Sequence, residues 1–229
     1  MAGETRERIL DVAERLFANT GFASTSLRDI TAEAGVNLAA VNYHFGSKEA
    51  LLVAILERRI RPVNDRRLAL LDELESRTAD GGPTLEQIVA AFVSPPFQSA
   101  LIEGARRREI LKLVGQLHSQ VNPEVRRLFI QQFDEVRVRF TASLQRALPD
   151  IDPEEVARRV MYIVGAMIYM MSWGEESGHP PSQAPERLLH SLIEFASAGM
   201  AAPTTVPAGI PAPAALPTDA SIAAHGGHA

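Results

Sequence analysis

Apolar side chains recur at helical spacing along most of this chain. Near the start, five of them share one face of a helix: Ile9, Leu10, Ala13, Leu16 and Phe17. The same period returns from residue 47 to about residue 200. No stretch alternates apolar and polar residues in the way that a half-buried strand does. The pattern therefore predicts an all-α protein.

Between residues 25 and 45 the pattern breaks into two short helices with a tight turn between them. Ser26 can cap a helix over Leu27–Ala34, because its hydroxyl can accept a hydrogen bond from an unpaired backbone N–H. Gly35 stands where helices commonly end in a left-handed residue. Asn37 can then cap a second helix that ends near Phe45. This order and spacing are typical of a helix-turn-helix motif.

The solvent face of the second short helix is suited to DNA. Its residues are small or carry hydrogen-bonding groups, with few charges: Asn37, Ala39, Ala40, Asn42, Tyr43 and His44. Small side chains allow close approach to the major groove, and asparagine can pair with adenine through two hydrogen bonds. Leu38 can contact a thymine methyl group. Helix-turn-helix geometry also occurs in proteins that never touch DNA, and this face is what favours the DNA-binding interpretation.

Residues 6 to 51 resemble the DNA-binding domain of the tetracycline-repressor (TetR) family of bacterial transcription regulators. The matching stretches are ILDVAERLFANTGFASTSLRDITAEAGV and NLAAVNYHFGSKEAL. The resemblance implies that the second short helix is the recognition helix. It also implies contacts with DNA from residues around it: Thr25, Ser26, Arg28, His44 and Lys48. The family usually has a phosphate-contacting tyrosine where Asn42 stands, whereas here the tyrosine is its neighbour, Tyr43.

The charge balance is not typical of a nucleic-acid-binding protein. The chain carries a net charge of −5, and its first 50 residues hold fewer basic side chains than acidic ones. The strongly basic patch that usually accompanies nucleic-acid binding is therefore absent. We expect few phosphate contacts from each subunit, a dimer that doubles them, and an affinity for DNA that depends only modestly on salt concentration.

Two apolar helices near the end of the chain predict a dimer interface. The stretch VMYIVGAMIYMMSW (160–173) is apolar almost all round but too short to cross a bilayer, so both of its sides need cover. By resemblance, the last two helices pack against their two-fold mates, which holds two recognition helices over the half-sites of a palindromic operator. An ordinary monomeric core is the alternative. The predicted interface residues are Val160, Val164, Met171, Leu188, Leu189, Leu192 and Phe195.

The middle helices are the candidate sensor of a small molecule. Methionine suits adaptable cavities, and ligand pockets are mainly apolar with a few polar groups. The segment from Arg61-Pro62 through RRREILKLVGQLHSQ is similar to regulators of fatty-acid metabolism within the family, which implies a lipophilic effector, such as a fatty acyl compound. Plain core or a solvated face is the alternative for each residue. The predicted pocket residues are Phe92, Phe97, Leu101, Arg106, Leu117, His118, Phe133, Tyr162 and Met167.

Prolines and caps predict where the remaining helices end. Pro62 should break or kink the helix that opens at Ser47, and Pro95 with Pro96 should end another near residue 93. A single long helix is expected from residue 123 to about 148. Asp152 and Glu155 should form a capping box for the next helix, and the last helix should end near residue 198.

These features predict three regions and one main function. Residues 1–50 form a helix-turn-helix domain (motif about 25–45), residues 51–200 a helical effector-binding and dimerisation domain, and residues 201–229 a disordered Pro/Ala-rich tail. We predict a homodimeric, operator-binding repressor that a small lipophilic effector releases. The alternative is a DNA-binding adaptor that a protein partner controls without any small molecule.

Chemistry beyond binding is not predicted. The chain has no cysteine, no spaced His/Glu metal ligands and no glycine-rich phosphate loop. We therefore expect no enzymatic activity, no metal and no cofactor. The N-terminal residues contain no apolar signal segment, and a cytoplasmic bacterial protein without a membrane span is the simplest interpretation.

Overall fold

The computed structural model describes residues 2–77, 82–102, 113–115, 117, 123–173 and 185–204. All regular structure in these ranges is helical, which confirms the all-α prediction. Residues 113–115 and 117 are also helical. Among the described helices, none is both long and apolar enough to cross a bilayer. The delimited helices are α1 (Ala2–Thr20), α2 (Leu27–Ala34), α3 (Leu38–Phe45), α4 (Lys48–Arg77), α5 (Leu85–Ile102), α6 (Pro123–Gln131), α7 (Asp134–Ala147), α8 (Pro153–Trp173) and α9 (Pro185–Ala201).

Buried apolar side chains form two separate cores that share α4. The first core joins α1, α2, α3 and the N-terminal half of α4, and it also takes in Leu113, Leu117, Val125 and Phe129 from later in the chain. The second core joins the C-terminal half of α4 with α5, α7, α8 and α9. The first core thus contains residues of α6 as well as residues of the helix-turn-helix. The division of the chain at residue 50 stays a prediction.

Prolines do not end helices where the sequence suggested. The helix α4 runs through Pro62 without a break, and α5 runs through both Pro95 and Pro96 to Ile102. A proline inside a helix deprives the carbonyl four residues earlier of its N–H donor. For Pro96 that carbonyl is Phe92 O, and the Nε of Arg67 donates to it at 2.8 Å. The expected helix end near residue 93 is therefore wrong, because another helix supplies the missing donor.

The long helix predicted from residue 123 to 148 is instead two helices. The helix α6 ends at Gln131, and Phe133 (φ −111°, ψ 4°) precedes α7. The side-chain amide of Asn64 donates to the carbonyl of Gln132 at 2.7 Å, at the interruption itself. The break lets α6 pack in the first core and α7 in the second. Apolar spacing alone carries no sign of it.

The end of α9 is anchored by α8. As expected, Asp152 caps α8, since its Oδ1 accepts from the N–H of Glu154 at 2.8 Å. The capping-box role of Glu155 is wrong, because its carboxylate accepts from Arg159 at 2.7 Å and from Arg158.

Arg159 also explains why the last helix is longer than predicted. Its Nη1 donates to the carbonyls of Met200 and Ala202, each at 2.7 Å. These bonds satisfy carbonyls at the end of α9, which reaches Ala201 rather than residue 198. The helix thereby includes the first residue of the predicted tail. Residues 205–229 of that tail lie outside the described part.

Candidate nucleic-acid interface

The helix-turn-helix is capped at each junction by its own side chains. Ser26 Oγ accepts from the N–H of Asp29 at 3.2 Å, and Asp29 Oδ2 accepts from the N–H of Ser26 at 2.8 Å. Asp29 was not predicted to be the second half of this capping box. The hydrogen bond from the Ser26 hydroxyl is the main cause that lowers the pKa of Asp29 below its ordinary value. These reciprocal bonds fix where α2 begins.

The turn between α2 and α3 has the geometry that its sequence predicted. Gly35 is left-handed (φ 61°, ψ 39°), and Asn37 Oδ1 accepts from the N–H of Ala40 at 2.9 Å. Gly46 also has a positive φ and ends α3. Ser47 Oγ then accepts from the N–H of Ala50 at 3.0 Å. The boundaries of both short helices match the sequence-based expectation, so α3 is held rigidly at the protein surface.

The outward side of α3 carries four exposed side chains that we call the reading face: Leu38, Ala39, Asn42 and Tyr43. Tyr43 is 85% exposed, although it is a large aromatic residue. Ala40 and His44 are partly buried, and Val41 anchors the opposite side in the first core. Asn42 and Tyr43 are thus both presented to solvent, with Tyr43 the more prominent.

Two of the side chains predicted to contact phosphate make internal hydrogen bonds. The Thr25 hydroxyl is buried, donates to the carbonyl of Gly21 at 2.9 Å and lies 2.7 Å from Thr20 Oγ1. Lys48 Nζ donates to the carbonyls of Phe22 and Thr25 at 2.9 Å each. It also lies 4.3 Å from the centroid of the Phe22 ring. These side chains hold the turn before α2, and their contacts with phosphate stay a prediction.

Arg28 is the cation that the motif leaves available. It is exposed in the first turn of α2 and forms no ion pair with any residue of the described ranges. Arg15, by contrast, is paired with Glu33, and Arg6 with Glu7. Beside the reading face, Ser26 and Arg28 are exposed and His44 is partly buried. The DNA-contact set as a whole stays a prediction.

A cluster of charged side chains, absent from the sequence-based expectations, ties α1 to α4. Glu14 is only 2% exposed and accepts from Arg58 at 2.5 Å and from Arg59 at 3.0 Å. Arg58 also reaches Glu7 and Asp11. Burial alone would lower the pKa of Arg58, but hydrogen bonds and charge from these carboxylates raise it overall. The sequence signal was an acidic residue adjoining the apolar stripe of α1.

The predicted effector pocket is not one continuous set. Phe92 and Met167 are buried in the second core, and Phe97 packs against it. Leu117 and Phe133 belong to the first core. Tyr162 is 65% exposed and lies in neither core. Arg106, His118 and the side chain of Leu101 lie outside the described residues.

A polar pair inside the apolar stripe of α4 was missed. Asn64 and Arg67 occupy buried positions between Ile60 and Leu71, at spacings of three and four residues. Arg67 Nη1 donates to Asn64 Oδ1 at 3.0 Å, and its guanidinium lies 4.7 Å from the centroid of the Phe92 ring. Burial lowers the pKa of Arg67 to about 10. Their place on the core stripe was the signal that could have identified them.

An apolar face remains open on α8 and α9. Large side chains exposed there are Met161, Tyr162, Tyr169, Leu188 and Phe195. Of the predicted interface residues, Leu188 and Phe195 belong to this face, whereas Val160, Val164, Met171 and Leu189 are partly buried. Leu192 is buried in the second core of its own chain. The assignment of these residues to a dimer interface stays a prediction.

Two family profiles match the chain on either side of α4's C-terminal half. Residues 9–55 match the family described as "Bacterial regulatory proteins, tetR family", and residues 90–199 match "Tetracyclin repressor-like, C-terminal domain". Together they include the helix-turn-helix and most of the second core.

Individual relatives agree with these profiles. The chain is 33% identical to the HTH-type transcriptional regulator AcrR of Shigella flexneri over 59% of this chain and 62% of that protein. It is 45% identical to the regulator TtgR of Pseudomonas putida over 49% of this chain and 50% of that protein. Both matches span less than two thirds of the relative.

The fold recurs among solved structures. The fatty acid degradation regulator FadR from Bacillus halodurans aligns with a TM-score of 0.61 and 17% identity. The alignment covers 85% of this chain and 95% of that one. At this identity the likeness concerns the fold alone.

Proposed function

Because the chain belongs to the tetracycline-repressor (TetR) family of DNA-binding transcription regulators, we propose that it is a dimeric repressor whose operator complex is released by a small lipophilic effector. The DNA-binding and regulatory parts of this statement are those of the family. Repression, the palindromic operator and the effector are the proposed parts. We also place the protein in the cytoplasm, associated with the nucleoid when it is bound to DNA.

The observation that carries the proposal is the reading face of α3. A side chain as large and apolar as Tyr43 is normally covered, yet it is 85% exposed on a rigidly capped helix. Asn42 stands beside it and can pair with a base edge, while Leu38 can cover a thymine methyl group. Arg28 and Ser26 lie at the start of α2, where contacts with phosphate would set the register of α3 on the duplex.

Dimerisation is supported by the open apolar face of α8 and α9. Five large hydrophobic side chains on two helices leave an apolar surface that water covers poorly. Regulators of this family act as dimers, and two recognition helices need a fixed separation to read two half-sites. The acidic balance of the N-terminal region makes a second set of contacts more valuable, because each subunit offers few free cations.

Release follows if an effector changes the separation or tilt of the two recognition helices. The route that the packing provides is α6, whose Val125 and Phe129 lie in the first core with the helix-turn-helix. The adjoining α7 lies in the second core, where a ligand would bind. A ligand that prefers one arrangement of α6 and α7 would shift the dimer toward it.

A second candidate is a DNA-binding adaptor under the control of a protein partner. The effector-responsive form is favoured because the buried guanidinium of Arg67 forms no ion pair with any described residue, and an anionic group of a ligand could supply one. Catalysis has no support from the relatives, which are transcription regulators.

The test is operator binding by reading-face variants. An operator is selected from random duplex DNA with the wild-type dimer, and dissociation constants are measured by fluorescence anisotropy. We expect Tyr43→Ala and Asn42→Ala each to weaken binding by roughly 10- to 100-fold, in line with about 1–3 kcal/mol for a base contact. Tyr43→Phe separates the hydroxyl from the ring.

The matched control is Gln131→Ala, an exposed polar residue at the end of α6. It should bind the operator like the wild type. Equal affinities for Tyr43→Ala, Asn42→Ala and the wild type would overturn the assignment of the reading face. Lipophilic compounds are then screened for release of the operator, with fatty acyl compounds tested first.

A further inference from the structure

Arg67 is a buried cation that no carboxylate of the described residues contacts. It is 4% exposed, and its hydrogen bonds go to the carbonyl of Phe92 and to the side-chain oxygen of Asn64. No residue of the described ranges forms an ion pair with it. A guanidinium has five N–H donors, and these two bonds leave three without a described acceptor. Burying a charge without a counter-charge is costly, so a purely structural role explains the residue poorly.

The structural role needs only a neutral donor. One N–H is sufficient to satisfy the carbonyl that Pro96 leaves unpaired, and a glutamine or asparagine on α4 has such a group. The unused part of the guanidinium is the planar fork that binds carboxylates through two parallel hydrogen bonds. The structural role therefore requires neither the positive charge of the guanidinium nor its planar fork.

The surroundings of Arg67 are apolar. The Phe92 ring lies against the guanidinium, and Phe92 belongs to the second core, which also contains Leu71, Ile88, Phe140 and Met167. A ligand that pairs with Arg67 would therefore bury a hydrocarbon portion in this core. Such a ligand has one anionic group and an apolar body.

We propose that Arg67 binds the carboxylate of an amphipathic effector whose apolar part lies in the second core. The inference rests on the proposed function and narrows it, since the effector is then a lipophilic carboxylate rather than a neutral or cationic lipophile. Arg67 sits on α4 beside Asn64, which holds the break between α6 and α7. The same guanidinium donates to the Asn64 oxygen, so a carboxylate bound to it would change the surroundings of Asn64 and couple ligand binding to that break.

The experiment compares ligands that differ in head-group charge. Binding of octanoate, decanoate, dodecanoate and hexadecanoate to the full-length dimer is measured by isothermal titration calorimetry. The matched alcohols and alkyltrimethylammonium ions serve as neutral and cationic probes. We expect at least one carboxylate to bind about tenfold or more tightly than its alcohol, because a charge-assisted bond is made only by the carboxylate. Arg67→Met should remove this preference, and Arg67→Lys should retain much of it.

Arg159→Met is the matched control. Arg159 is also a buried arginine that donates to backbone carbonyls, but Glu155 neutralises its charge. This variant should lose stability and keep the preference for carboxylates. The inference is overturned if no carboxylate of the series binds more tightly than its alcohol, or if Arg67→Met keeps the preference.

Operator binding by the same preparations separates this inference from the proposed function. If alcohols release the operator as well as carboxylates do, the effector function stands and the role of Arg67 falls. If carboxylates bind through Arg67 but never affect the operator complex, the role of Arg67 stands and the proposed effector function falls. Absence of any operator binding would remove the regulatory proposal and leave the binding result to be judged alone.

Discussion

Arg58 and Arg67 lie on the same helix, nine residues apart, and they are stabilised in opposite ways. Arg58, at the edge of the first core, contacts the carboxylates of Glu7, Asp11 and Glu14. Arg67, inside the second core, contacts a peptide carbonyl and the amide oxygen of Asn64. The first arginine is neutralised within its own chain, whereas no carboxylate of the described residues neutralises the second.

The difference separates a half that charge pairs hold together, which we call the fixed half, from the half that the proposed effector would act on, which we call the responsive half. Charge pairs hold α1 against α4, so the helices that position the reading face form one block. In the second half, the polar bonds of α4 go to two carbonyls at interruptions of the helical hydrogen-bond pattern. One is Phe92 O, which lacks a donor because of Pro96, and the other is Gln132 O, at the break before α7. Bonds to such interruptions can be exchanged for bonds to a ligand at lower cost than buried ion pairs, because no charge is left unpaired in the exchange.

The largest effect should come from removal of the central carboxylate of the fixed half. Glu14→Ala leaves Arg58 and Arg59 without their buried partner, and breaking a buried pair costs about 3 kcal/mol or more. Chemical denaturation at pH 7 and a fixed protein concentration should show this loss in the free energy of unfolding. Operator affinity should fall as well, since α1 supports α2 and α3.

Glu33→Ala is the control for that substitution. It breaks the exposed pair with Arg15, and exposed pairs contribute about 0–1 kcal/mol. If the two variants lose the same free energy, the carboxylate cluster around Arg58 does not hold the fixed half together.

A smaller loss is expected from the uncompensated arginine. Arg67→Met leaves the carbonyl of Phe92 unpaired, which costs about 1–3 kcal/mol. The substitution also removes a buried charge, and that gain offsets part of the loss. The free energy of unfolding should therefore fall by less than in Glu14→Ala. Arg66→Met, at the exposed neighbouring position, should stay within about 0.5 kcal/mol of the wild type. A loss in Arg67→Met that exceeds the loss in Glu14→Ala would reverse the comparison.

The fixed half was also the half that the sequence predicted best. Ser26, Gly35 and Asn37 form hydrogen bonds with backbone groups a few residues away, and such local bonds can be predicted from the sequence. The ends of α2 and α3 were accordingly correct. The internal bonds of Thr25 and Lys48 were not predicted, because their carbonyl partners depend on how the turn at residues 21–25 folds, which residue type does not reveal.

The responsive half was predicted less well because its bonds connect distant segments. Arg67, 29 positions before Pro96, donates to the carbonyl in α5 that this proline leaves without a donor. Asn64 donates to the carbonyl of Gln132 at the break before α7. Apolar periodicity predicted that both segments are helical, but it carries no information about a hydrogen-bond donor on another helix. The described pocket residues are divided between the two cores for the same reason, since one apolar stripe, such as that of α6 and α7, can contribute to both.

The smallest effect should appear at high pH and would sharpen the contrast between the two arginines. In the folded protein burial lowers the pKa of Arg67 from its ordinary value to about 10. Above pH 10 the unfolded chain then binds more protons at this residue than the folded chain, so the contribution of Arg67 to stability rises with pH until the arginine of the unfolded chain also loses its proton.

The measurement is the difference in unfolding free energy between the wild type and Arg67→Met from pH 8 to pH 11. It should be flat up to about pH 9 and then shift in favour of the wild type by about 1 kcal/mol by pH 11. The carboxylates around Arg58 raise the pKa of that arginine above its ordinary value, so Arg58→Met should show no such rise over the same range. Parallel curves for both variants would mean that the two guanidinium groups experience the same environment, and the distinction between a neutralised and an unneutralised arginine would then be lost.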